Sequence, residues 1–134
     1  MDNLIARVAQ ASGATPEIAR QAVALIIDFL EREAPEDAMS TLLESAPALK
    51  AIAATAKTGG EGLGGVLRGL MGTGAGAMGG GGLMGLGASL MGLGLTMDQI
   101  QATGKAVFDY AREAAGDDVL GEISAAIPGL SQFI

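Results

Sequence analysis

The chain has no cysteine, no histidine and no tryptophan, and its aromatic residues are three phenylalanines and one tyrosine. Without thiolate and imidazole there is no disulfide, no structural zinc of the usual ligand set, and neither of the commonest nucleophile and proton-shuttle side chains. Most enzyme classes are poor readings on that ground, and no cofactor, metal or small-molecule substrate is expected. Basic residues are also scarce: 8 Lys and Arg stand against 15 Asp and Glu, for a net charge of −7. The cations are scattered singly, so nothing offers the electrostatic footprint that a phosphate backbone needs, and nucleic acid is not expected as a partner. The N-terminus lacks a basic region followed by a long apolar run, so no signal peptide is expected, and the reading is cytoplasmic.

What is present is repetition. Displaced by 81 positions, residues 15–53 fall on residues 96–134 without a gap. Thr15 meets Thr96, Asp28 meets Asp109, Asp37 meets Asp118, Pro47 meets Pro128 and Leu49 meets Leu130. Between these identities the exchanges keep their physical character, as in Ile26 with Val107 and Phe29 with Tyr110. The expected fold is all-α: two homologous helical units, 1–57 and 96–134, flank a Gly/Leu/Met-rich segment at 58–95 within one domain. Such units would pack face to face about a pseudo-twofold axis, within one chain or by exchange between chains.

Local chemistry supports the helices. Leu4, Ile5, Val8 and Ala11 have helical spacing, and Gly13 follows as a natural terminator. Thr15-Pro16-Glu17 joins a hydroxyl for an orphan N–H, a proline for the first helical position and a carboxylate for the dipole. The helix it opens carries Ile18, Ala22, Leu25, Ile26, Phe29 and Leu30 on one side. Pro35 stops it, Ala38, Met39, Leu42 and Leu43 line the next helix, and Pro47 opens a third. In the second unit Thr96 and Gln99 have capping-box spacing, Gly116 stands in the place of Pro35, and Val119, Leu120 and Ile123 line the following helix.

The middle is unusual. It holds most of the 22 glycines, yet Leu and Met recur in it with a pattern. Leu-Met-Gly-x-Gly begins at Leu70, Leu83 and Leu90, and the last two copies place Leu83, Leu86, Leu90 and Leu93 along one helical seam. Gly85, Gly87, Gly92 and Gly94 lie beside it, at about 1 kcal/mol each relative to Ala, so a helix here needs a surface to pack on. Three readings stay open: a packed or swapped oligomer interface with Gly as the close-approach residue, a glycine-zipper element at a membrane surface, and a linker. Leu70, Met71, Leu83, Met84, Leu86, Leu90, Met91 and Leu93 are the candidate interaction residues.

Other motifs yield to plainer explanations. Gly74, Gly76 and Gly79 match a dinucleotide-binding spacing, but no strand precedes them. The acidic clusters Glu31, Glu33, Glu36, Asp37 and Glu113, Asp117, Asp118, Glu122 read as solvated helix ends. Asp28 and Asp109 read as surface carboxylates, with Arg20 or Arg112 of the opposite unit as candidate partners.

The whole order, a helical unit, a Gly/Leu/Met centre, Leu93-Gly94-Leu95-Thr96 opening a helix and a closing Ile127-Pro128-Gly129-Leu130, resembles a family of small bacterial glycine-rich proteins of unknown function. The resemblance implies a bacterial, all-helical protein and brings no activity or site residue with it. The sequence points to a non-enzymatic protein that acts through self-association, as a homo-oligomer, or through a protein partner. Peripheral attachment to a membrane surface is the alternative.

Overall fold

The structure is a computed structural model that describes residues 2–57, 82–127 and 129–130. Among them are seven α-helices and no strand: α1 (Asp2–Ser12), α2 (Pro16–Glu33), α3 (Glu36–Ser45), α4 (Pro47–Lys57), α5 (Gly82–Gly92), α6 (Met97–Ala115) and α7 (Asp117–Ala126).

The helix starts follow from capping chemistry. The Thr15 hydroxyl accepts the N–H of Ile18 at 3.3 Å, and Pro16 and Glu17 occupy the first turn of α2. At α6 the box is complete: Gln99 N–H donates to Thr96 Oγ1 at 3.2 Å while Thr96 N–H donates to Gln99 Oε1 at 2.8 Å. Two orphan donors are thereby satisfied reciprocally. α3 and α7 have no side-chain cap, and begin instead with paired acids, Glu36 and Asp37 or Asp117 and Asp118, placed against the positive end of the dipole.

The stops use two devices. Ala34 turns extended ahead of Pro35, as a pre-proline residue must, and ends α2. Gly116 ends α6 at φ +94°, a conformation that a side chain resists. Gly13 and Gly94 do the same at φ +73° and +94° after α1 and α5. α1 gains a further lock, because Ser12 is buried with its hydroxyl donating to the Val8 carbonyl at 2.7 Å and accepting from Ala14 N–H at 3.2 Å.

Packing centres on α2. Every residue from Ala22 to Ile27 is buried, together with Ala19, Phe29 and Leu30. Such a run is wider than the stripe that sequence periodicity picks out, and it requires cover on all sides. α1, α4, α5 and α6 provide it. α6 buries a single stripe of Ile100, Thr103, Val107, Phe108 and Ala111. The contacts also cross between the two ends of the chain: α1 lies chiefly on α6, α5 chiefly on α2, and α3 meets α7. Leu4, Val8, Leu42, Leu49, Leu90 and Ile123 are each buried within one continuous core.

One polar atom in this core has no partner. Thr103 is 1% exposed, and its hydroxyl makes no hydrogen bond. A buried unsatisfied hydroxyl costs about 1–3 kcal/mol, and valine keeps the same outline without it. Thr103→Val is therefore expected to raise stability by about 1 kcal/mol, read as a higher urea midpoint at unchanged m-value. A fall in the midpoint would contradict an unsatisfied hydroxyl.

Candidate interaction surface

The candidate residues gather on α5 and its flanks. This helix has no charged side chain, and its interior glycines, Gly85 and Gly87, cost about 2 kcal/mol together. The surface that compensates is α2. Leu90 is 2% exposed, and burying one leucine contributes about 2 kcal/mol. Leu86 and Leu93 pack partly buried against the same core, and Leu95 closes the segment as another buried residue. Gly94 lets the chain turn from α5 toward the Thr96 cap.

The structure thus divides the sequence-predicted set. Leu86, Leu90 and Leu93 face inward and are used in folding, whereas Met91 faces out at 52% exposure. Leu83 and Met84 lie in the first turn of α5, and their side chains fall outside the description. Leu70 and Met71 lie outside the described residues, as do Gly74, Gly76 and Gly79. Met97, which sequence reasoning missed, is 49% exposed at the first position of α6. A signal existed: the residue after an N-cap is set at the outer edge of a helix, as Pro16 is in α2. Met91 and Met97 are the exposed large hydrophobic residues among those described.

The glycines of α5 do not serve close approach within the chain. A Cβ placed on Gly85 or Gly87 would meet nothing within 4 Å. The expectation that glycine lets a neighbouring backbone come near is therefore not met by any described element.

The carboxylates also pair differently from the expected pattern. Asp28 pairs with Arg32 one turn further along its own helix, instead of with a cation of the other unit. Arg112 pairs with Asp117 across the α6–α7 junction at 2.9 Å. Arg7 and Glu113 make a long-range contact: Nη1 donates to Oε2 at 2.8 Å and Nη2 to Oε1 at 3.1 Å, a two-pronged bridge from α1 to α6. The hydrogen bonds from Arg7, and then its charge, hold the Glu113 carboxyl below its usual range, and Glu113 in turn raises Arg7.

Two concavities flank these helices. One, of about 20 Å³, is enclosed by apolar groups including Ile26, Phe29, Leu86, Gly87, Gly104 and Phe108. It is far below ligand size and offers a water no polar partner. The other is an open groove between α1 and α6, in which Arg7, Gln10, Lys105 and Asp109 stand over Ala11, Ala102 and Ala106. No group of three or more Asp or Glu converges on a metal position among the described residues. No described helix is long and apolar enough to cross a membrane.

No protein-family model matches the chain, and no curated protein and no solved structure matches it.

Two predictions arise from this surface. Gly85→Ala and Gly87→Ala should each stabilise the fold by about 1 kcal/mol, because the added methyl meets open space. Thermal unfolding of the two variants checks this, and a lowered midpoint would mean that something approaches these glycines. The second concerns pH. A carboxyl lowered in the folded state adds stability that is present above the pKa of an unfolded glutamate and is lost as pH falls through the lowered folded value. Arg7→Ala should move the Glu113 titration midpoint, followed by NMR, upward toward that of a free glutamate, and should flatten the acid limb of the stability profile. An unmoved midpoint would remove the bridge as its cause.

Proposed function

We propose that this chain is a tandem duplication folded about a pseudo-twofold axis, and that it works without enzymatic chemistry, through self-association or a protein partner met by the outer face of α5 and the start of α6. The single observation that carries the interaction surface is the pair of exposed methionines, Met91 and Met97, on a stretch with no charged side chain between Gly82 and Met97. Methionine adapts its shape to a partner, and an apolar side chain left in water gains from being covered.

The helix positions support the duplication. α3 and α7, at 36–45 and 117–126, are displaced by 81 residues, as are the caps Thr15 and Thr96 and the left-handed glycines Gly13 and Gly94. Equivalent core positions are buried in both halves: Ala19 and Ile100, Ala22 and Thr103, Ile26 and Val107, Leu30 and Ala111, Leu42 and Ile123, Leu49 and Leu130. Since α1 and α5 precede Gly13 and Gly94, the repeated unit extends through them, and α5 is the counterpart of α1. The reciprocal contacts, α1 on α6 and α5 on α2, are those of a twofold arrangement. The Gly-rich connection between units then narrows from 58–95 to 58–81.

Size exclusion with light scattering, run over a wide concentration range, tests the reading. The expected mass exceeds that of a monomer at high concentration, and Met91→Asp with Met97→Asp returns it to monomer or weakens association at least tenfold. A strict monomer that also captures no protein partner overturns it. A lipid surface competes for the same methionines, and flotation separates the two: wild type rising with neutral liposomes while the double Asp variant stays behind would favour the membrane.

A further inference from the structure

Contact between the two halves of this chain has the form of contact between two molecules. The first helix of each half is given to the other, α1 to α6 and α5 to α2, and α3 meets its counterpart α7. Neither half covers itself. From this geometry we infer that the halves are exchangeable between copies: residues 2–57 of one chain pair with residues 82–130 of a second, and the reverse, to give a dimer of two globules, each built like the single chain. This rests on the two-unit reading proposed above and goes beyond its methionine surface: the partner is a second copy, and exchange on refolding is a separate manner of association.

Every contact between halves is retained on exchange, so the balance rests on the connection. Residues 58–81 join α4 to α5, and covalent linkage gives two binding units a finite effective concentration for each other, of order mM in linked modules generally. A second copy at comparable concentration competes with the tethered half. Because the core is shared, exchange requires it to open, so the choice is made while the chain folds and then persists on the timescale of unfolding.

One exposed ion pair favours the pairing of unlike halves. Arg7 of the first half meets Glu113 of the second. If two first halves paired instead, Arg7 would face Arg32, the residue 81 positions before Glu113. Two second halves would set Ala88 against Glu113. Only the mixed pairing joins opposite charges, and like charges across a contact reject the wrong partner. The exposed Arg7–Glu113 bridge thus adds a small bias against pairing two first halves.

The absence of cysteine from the chain makes the test clean. Arg7→Cys and Glu113→Cys copies, both altered at exposed positions, are mixed, unfolded, refolded together at about 1 mM or about 10 µM, then diluted and treated with a short bismaleimide. Exchange predicts a covalent heterodimer, joined through position 7 of one copy and position 113 of the other, with a dimer-to-monomer ratio roughly a hundredfold higher from the concentrated sample, following the tether's effective concentration. It also predicts little product when the folded copies are mixed without unfolding. Wild type refolded at about 1 mM should elute in part at twice the monomer mass, which frees the result from the folding of either variant. No heterodimer and no wild-type dimer after co-refolding, or equal yield without unfolding, overturns exchange. Adding Met91→Asp and Met97→Asp to both copies keeps the two ideas apart, because exchange survives that change and methionine docking does not.

Discussion

Everything in this fold turns on the need of α2 for cover. Six consecutive buried residues, Ala22 to Ile27, leave the middle of that helix no side to present to water. A helix buried all round is stable only inside a shell, and the shell here is recruited from both ends of the chain: α1 and α4 from its own half, α5 and α6 from the other. This constraint explains why a helix as glycine-rich as α5 is present. Helical stability in proteins comes mainly from packing an apolar face, and Leu90, Leu86 and Leu93 supply that face where local propensity does not.

The same constraint joins the halves into one core. α1 cannot be buried by α2 alone, and α5 cannot be buried by α6 alone; each crosses over. On the proposed duplication, this is the arrangement that a symmetric pair of short chains adopts when neither has enough apolar surface to enclose itself, since small units bury too little of what they expose. Linking two such units leaves the pairing chemistry in place and turns an encounter between molecules into one within a molecule. Arg7 and Glu113 break that symmetry, since the positions displaced from them by 81 are Ala88 and Arg32.

Much of the architecture was legible because its causes are local. Thr15 with Pro16, and Thr96 with Gln99, announce helix starts through hydrogen bonds that span three residues, and both caps form as their chemistry requires. The inward leucines of α5 were legible as a seam, but not their destination: periodicity says that Leu86, Leu90 and Leu93 share a face, not whether that face meets its own chain or another. On the proposed duplication α5 would be the counterpart of α1, and sequence alone conceals it: at a displacement of 81, Leu4 falls on Gly85 and Val8 on Ser89, so side-chain similarity vanishes before Thr15, and only the left-handed Gly13 and Gly94 keep the register. Thr103 was illegible in principle, since a threonine reads as an amphipathic helix residue until tertiary packing removes its hydroxyl from water and from partners.

Comparison of α1 with α5 separates what the fold demands from what it does not. Both helices lie over the other half's second helix and both end at a left-handed glycine, so folding asks much the same of each. Their outer residues nevertheless differ in kind. Arg7 and Gln10 of α1 correspond to Ala88 and Met91 of α5. The fold is satisfied by a polar exterior on one helix, so it does not require a greasy one on the other. Charge sharpens the contrast. At a net −7, an approaching acidic surface, a second copy included, is repelled wherever carboxylates lie within a Debye length of about 8 Å. The stretch from Gly82 to Met97 contributes none of that charge itself, and it carries the two exposed methionines. Apolar exposure and locally absent charge thus coincide on the stretch from α5 to the first residue of α6, whereas α1, which also packs on the other half, has a polar exterior.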